Sequence, residues 1–526
     1  MNRSFTAVAV CCGCSLLFAA PAWSQAPDWT TTGNDAQRSS WIRADLKIST
    51  ESVSDPGFKL MWKIELDNQA RHGNALTPPV LLDFLISHRG FRSLAFVGGS
   101  SDRVFVMDTD LARMEWERRL SAGDSSNGTP DCPGGMTTGL TRLTNLGLPP
   151  LGGIVARGRR TPAESGVGQP NEGAVTLAAA ASRSPSRPAA PPVSSRERPP
   201  ARRVLRGLNF VYALTSDGML RTLYVSNGID REPPIQFLPP NANAHGLIVV
   251  DGSAYVATKN GCGGVNDGVW ALDLESKEVV SWKSPTGGIA GLAGPAFSPD
   301  GNLYAATSGG SVVALKAKTL ELSDSYAPPG QGFTSSPVVI DYDEKDYLAV
   351  AAKDGSIHLL DGSSLSGSGH HTPPNAAASN FTPGALATWQ DESGVDWVLA
   401  PSGPQASGAS FPITNGAVTN GAVVAWKIVE TGGSPALEPG WVSRNLISPL
   451  PPIVINGVVF AASAGAEGSS SAALYALDGA TGKVLWESGD AIQTYAPRNG
   501  LSAGPGAVYM STIDGTLHAF GFAIEH

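Results

Sequence analysis

Apolar residues come in short runs along most of the chain, rich in Val, Ala, Leu and aromatic side chains and separated by Gly, Asp, Asn and Pro. No sustained 3.6-residue apolar period appears beyond the first residues, so the pattern predicts strands joined by tight turns rather than helices. The pairs Asp217-Gly218, Asp251-Gly252, Asp300-Gly301, Asp354-Gly355, Asn456-Gly457 and Asp514-Gly515 predict hairpins, because their turns need backbone that only Gly, Asn or Asp adopt easily. The clearest unit is Leu474–Trp486. Leu474 to Leu477 alternate as a strand, Gly482 supplies a turn, and Trp486 ends the next strand, where it can cover a seam against neighbouring structure.

This unit recurs. Gly268–Asp273 leads to Trp282, and Val104–Asp108 leads to Trp116, at the same offset from its Asp as Trp486 from Asp478. Weaker copies begin at Leu303, Tyr347 and Ala422, the last leading to Trp441. One sheet of this kind cannot bury both faces alone, and stacking copies around an axis solves that. In the best copy, Ala476, Asp478, Thr481, Gly482, Lys483 and Trp486 fit A-x-D-x-x-T-G-K-x-x-W. The pattern resembles the repeat of quinoprotein-like (PQQ-like) β-propellers, and the resemblance extends over nearly all of the chain after the first residues.

Innermost strands are expected to begin near Leu76, Gly134, Ala244, Ile289, Phe333, Phe381, Ile447 and Leu501, which makes an all-β, eight-bladed propeller over residues 58–526. The last blade, read over Gly506 to Phe522, ends after three strands, and Phe58–Ile64 reads as a fourth strand without a blade of its own. Pairing the two closes the ring and removes exposed sheet edges. An open solenoid or two smaller sandwiches are the alternatives. Residues 25–57 read as an N-terminal extension.

Residues 1–24 read as a secretory signal peptide, with Arg3, an apolar core from Ala7 to Ala20, and Ala22-Trp23-Ser24 as a small-x-small cleavage site. The expected location is therefore periplasmic or secreted. No other segment is long and apolar enough to span a membrane. Removal of the leader takes Cys11, Cys12 and Cys14 with it and leaves Cys132 and Cys262, each in a Gly-rich loop, for which a disulfide is expected and two free thiols are the alternative. Residues 151–206 carry ten arginines against three glutamates amid Pro, Ala, Ser and Gly. Such a composition cannot bury a core, so it is expected to be a disordered insertion within the second blade, with a basic contact arm as the alternative. The net charge of −9 excludes nucleic acid as the default partner.

Catalytic signals are sparse. The resemblance implies, for quinoprotein dehydrogenases, PQQ held in the central channel beneath two adjacent bonded cysteines, a Trp floor, Ca²⁺ on Glu and Asn, and an Asp base. None of these can be assigned in this sequence, so PQQ and calcium are conceivable cofactors without residues to support them, and no catalytic or metal residue is assigned. Hydrolase, zinc-protease and phosphate-loop motifs do not occur. His370-His371 reads as a surface loop.

In a propeller the residues just before each innermost strand ring the channel mouth. Those residues include Arg71, His72 and Asn74; His245; Thr334 and Ser335; Asn380 and Thr382; Arg498 and Asn499. Arg71, His72, Asn74, His245, Arg498 and Asn499 are the candidate ligand residues, with Arg498 foremost because a guanidinium recognises a carboxylate through two parallel hydrogen bonds. The preferred function is an exported, non-catalytic binding module or scaffold whose partner is an unidentified protein or a small polar ligand. The alternative is a PQQ-dependent oxidoreductase-like enzyme with a rearranged site.

Overall fold

The computed structural model describes residues 28–87, 90–121, 128–147, 209–330, 332–373, 381–404 and 409–523. The expected signal peptide, the 151–206 insertion and Asn380 lie outside them. Eight sheets stand around one axis as an eight-bladed β-propeller. Blade 1 comprises Val80–Ser87, Gly90–Gly99, Arg103–Asp108 and Arg113–Arg119, each antiparallel to the next. Blades 3 and 4 repeat this plan, blade 7 adds a fifth, parallel strand on its inner edge, Trp41–Ile42, and blade 6 adds one on its outer edge, Ile413–Thr414. In blades 2 and 5 one strand shrinks to a backbone bridge: Thr141 pairs with Tyr212 on the inside of blade 2, and His371 with Leu359 on the outside of blade 5.

Blade 8 closes as expected. Ser502–Gly504, Ala507–Ser511 and Thr516–Phe522 are completed by Phe58–Glu65, with Trp62 opposite Ala519. All six hairpin glycines named above have positive φ, from 76° to 87°. The repeat's Asp shapes its own turn, since the Asp478 carboxylate accepts hydrogen bonds from the Thr481 N–H and hydroxyl, at 2.8 and 2.7 Å. Seams between blades carry the core as a series of apolar slabs. Indole N–H groups bind across them to equivalent carbonyls of the next blade: Trp62 to Thr109, Trp116 to Val225 and Trp441 to Gly479, at 2.8–2.9 Å. Trp486 meets Phe58 edge-on at 4.9 Å. Blade 4 uses Tyr326 instead, whose hydroxyl lies 3.2 Å from His358 Nδ1 of blade 5.

The segment read from sequence only as an extension has a definite course. Between Asp28 and Lys47 it visits the innermost strands of all eight blades in ring order. Trp29, Thr30, Ala36, Gln37, Ser39 and Ser40 each offer a carbonyl to an inner-strand N–H, of Leu81, Arg142, Phe297, Val339, Thr388 and Val454 in turn, at 2.8–3.0 Å. Thr31 binds the Leu247 carbonyl of blade 3, and the Asp45 carboxylate binds Gly506 N of blade 8. Trp41–Ile42 runs parallel to the inner strand of blade 7. Asn34, Arg38 and Ser40 adopt positive φ to make the bends. Arg38 is buried at the centre of this course; its guanidinium donates to the carbonyls of Thr32, Gly246 and Pro295 and to the Thr31 hydroxyl, at 2.7–2.9 Å. Burial pushes it down to about 9, and the Asp35 charge works in the opposite direction.

Two readings of the sequence change here. His370 and His371 are not a free surface loop: His371 Nδ1 accepts from Leu437 N at 3.0 Å and His370 Nδ1 from Asp361 N at 3.2 Å, fastening the outer edge of blade 5. The extension belongs to the ring. Among the described residues no helix is long and apolar enough to cross a membrane.

Candidate ligand-binding site at the channel mouth

Loops leading into the innermost strands surround a cavity of about 420 Å³ at one end of the axis. His72, Asn74, His245, Arg498 and Asn499 all contribute to its wall, and Thr32 of the axial segment does as well. A second recess of about 260 Å³ shares Lys259, Asn260, Leu292 and Arg498 with the first and adds Thr334 and Thr382. Five of the six candidate residues therefore converge on one space. Arg71 does not join them: its backbone pairs with Asn74, and its side chain lies where its charge acts on Asp102. Ser335 is buried, accepting from Ala351 N at 2.9 Å.

Hydrogen bonding separates the wall residues by role. The Asn74 amide donates to Gly134 and Met136 carbonyls at 3.0 Å, joining blade 1 to the strip that feeds blade 2. The Asn499 amide donates to the Leu76 carbonyl, joining blade 8 to blade 1. Both amides are engaged in holding the rim. The Lys259 backbone N–H donates to the Asn243 carbonyl at 3.2 Å, but neither the Lys259 ammonium nor the Arg498 guanidinium makes a hydrogen bond or ion pair with any described residue. His245 is 4% exposed, and its ring nitrogens make no well-formed hydrogen bond, although the Ile289 backbone lies close enough to act on the ring. Burial holds its pKa well below the usual imidazole value, helped by the positive charges of Lys259 and Arg38, so the ring is neutral near pH 7. Burial also lowers the Lys259 ammonium.

Lys259 was not among the residues singled out in the sequence because it follows a second strand, Ser253–Thr258, rather than preceding a first. The available signal was its setting, Thr258-Lys-Asn-Gly-Cys262, a lysine beside the Gly-rich loop of a cysteine. That cysteine is bonded to Cys132, Cα–Cα 5.5 Å, and the bridge joins the rim loops of blades 2 and 3. Asn243 and Asn260 donate to the Asp131 carbonyl from either side, both at 2.8 Å. The rim is thus fixed both covalently and by hydrogen bonds.

No protein-family model matches this sequence, and no curated protein matches it. Solved structures do. A quinohemoprotein alcohol dehydrogenase from Comamonas testosteroni aligns with a TM-score of 0.57 at 14% identity, over 95% of this chain and 81% of that one. A europium-containing methanol dehydrogenase aligns at 0.53 and 12% identity, over 94% and 98%. A quinohemoprotein alcohol dehydrogenase from Pseudomonas putida aligns at 0.52 and 13%, over 95% and 81%. The chain is a PQQ-like β-propeller in fold.

Whether the residues suit PQQ with calcium is decided by the donor set. Calcium takes six to eight oxygen ligands, several of them carboxylates. The walls of the two recesses contain one carboxylate, Asp131, and among the described residues no group of three or more His, Cys, Asp or Glu could hold a metal. The disulfide joins residues 130 apart rather than neighbours, and no Trp lines either recess. These residues do not fit that cofactor pair.

Proposed function

We propose that this chain is an exported, non-catalytic β-propeller that acts as a binding module, receiving a small polar ligand in a cup at the channel mouth. The observation that carries this reading is the contrast within the walls. The ring of the buried His245 lacks a well-formed hydrogen bond, and the side chains of the half-buried Lys259 and the exposed Arg498 border the same space, while acids able to serve as base or metal ligands are almost absent. Burying polar groups without partners is unfavourable unless something else satisfies them. Thr32 of the axial segment forms part of the cup's wall. Export is supported by the N-terminal pattern and by a disulfide that suits an oxidising compartment.

The test is reconstitution of the purified full chain with PQQ and Ca²⁺, followed by dye reduction with alcohols and sugars. No bound chromophore and no PQQ-dependent dye reduction is the expected result. Dye reduction that requires both additions would establish the oxidoreductase reading instead.

A further inference from the structure

We infer that the ligand is a small organic dianion, a dicarboxylate of short carbon chain, held between Lys259 and Arg498. The inference rests on the binding-module reading and narrows it to a chemical class. Lys259 and Arg498 both border both recesses, so a single ligand in the shared space meets two cations that no described residue neutralises. Asp131 is the lone acid in the walls; it is exposed, at the outer edge of the cup. A monoanion would engage one of these cations only, whereas a dianion engages both the half-buried Lys259, where opposite charges interact more strongly than in water, and the exposed Arg498 at the rim.

The remaining surface argues for carbon between the charges. Leu292 lies on the boundary of both recesses, and Ile289 and Phe333 line the second. A short methylene chain fits against these residues, and inorganic phosphate does not use them. His245, a neutral ring in the wall without a well-formed hydrogen bond, can donate to a carboxylate oxygen through one nitrogen without adding charge. The guanidinium of Arg498 suits a carboxylate in a two-bond fork, while the ammonium of Lys259 accepts the second carboxylate as a compact charge.

Isothermal titration of the full chain at low ionic strength with malonate, succinate and glutarate tests this, with acetate, phosphate and a neutral hexose as comparison arms. At least one dicarboxylate is expected to bind, acetate and phosphate at least tenfold more weakly, and added salt to weaken the dicarboxylate. Lys259→Met and Arg498→Ala are each expected to weaken binding about ten- to a hundredfold, the range of one charge-assisted hydrogen bond. The melting temperature of the unliganded protein should stay the same in both variants, since neither side chain has a partner to lose. Lys345→Met, at the far end of blade 5's inner hairpin, removes the same formal charge and is expected to leave affinity unchanged. No dicarboxylate binding, equal binding by phosphate, or unchanged affinity in both mouth variants overturns the inference. Binding of the hexose alone overturns it while leaving the binding-module reading in place, whereas PQQ-dependent dye reduction overturns that reading itself.

Discussion

Replacing Arg38 by alanine tests whether the axial segment is a structural part of the ring. The side chain is 2% exposed and donates to three carbonyls, of Thr32, Gly246 and Pro295, that belong to the segment itself and to blades 3 and 4. Truncation leaves those acceptors facing a void. At about 1 kcal/mol for each lost carbonyl bond the polar contribution is about 3 kcal/mol, and the two buried methylenes removed add about 2 kcal/mol. Release of a buried cation opposes this, since its lowered pKa reports a desolvation penalty in the folded state. The net expectation is a loss of about 3–4 kcal/mol, a large share of the stability of an ordinary folded protein. Arg38→Met retains the stem, loses the donors and removes the charge, and should fall between wild type and Arg38→Ala. Urea unfolding followed by the fluorescence of the twelve tryptophans measures both. An Arg38→Ala variant within about 0.5 kcal/mol of wild type, the range of an ordinary surface change, would refute the claim that this segment pins the blades.

Three further outcomes are expected. Converting Cys132 and Cys262 to serine opens a loop of 130 residues, which on the chain-entropy argument lowers stability by up to about 5 kcal/mol, read from urea midpoints; an unchanged midpoint contradicts it. Burial depresses His245, His358 and His518 in the folded state, His358 to about 4, so the unfolded chain takes up protons first. Stability should therefore fall as the pH drops from about 6.5 to about 4, by about 3 kcal/mol through His358 alone, and His358→Gln should flatten a plot of urea midpoint against pH. Trp441→Phe keeps most of the apolar seam but strands the Gly479 carbonyl, and should lower stability by about 1–3 kcal/mol in the same assay.

The blades were legible because their signals are local. An Asp-Gly pair declares its own turn, and the spacing from Asp478 to Trp486 repeats from Asp108 to Trp116. The closing strand was legible by arithmetic, since blade 8 lacks one strand and Phe58–Glu65 has no other partner. The axial course was not legible. Thr31 to Ser40 pairs mainly through its carbonyls with strands hundreds of residues away, and backbone acceptors leave no mark on side-chain pattern. The mouth lay between these extremes. Position before an inner strand found Arg498 and His245, but it also drew in Arg71, Asn74 and Asn499, whose tasks are local pairing or the rim bonds between blades. It passed over Lys259, which reaches the same space from the opposite end of a strand. In blade 4 the seam contact fell to Tyr326 and His358, a pair with no resemblance to the Trp pattern used elsewhere.

The cup at the channel mouth is proposed as a binding site in which Lys259 and Arg498 are the cationic contacts. A crystal structure of the full chain grown with succinate tests it most directly. One dicarboxylate is expected in the shared recess, one end on the Arg498 guanidinium and the other on the Lys259 ammonium, with Thr32 in the surrounding wall. An empty recess with succinate elsewhere, or Lys259 and Arg498 both paired to protein carboxylates, would contradict it.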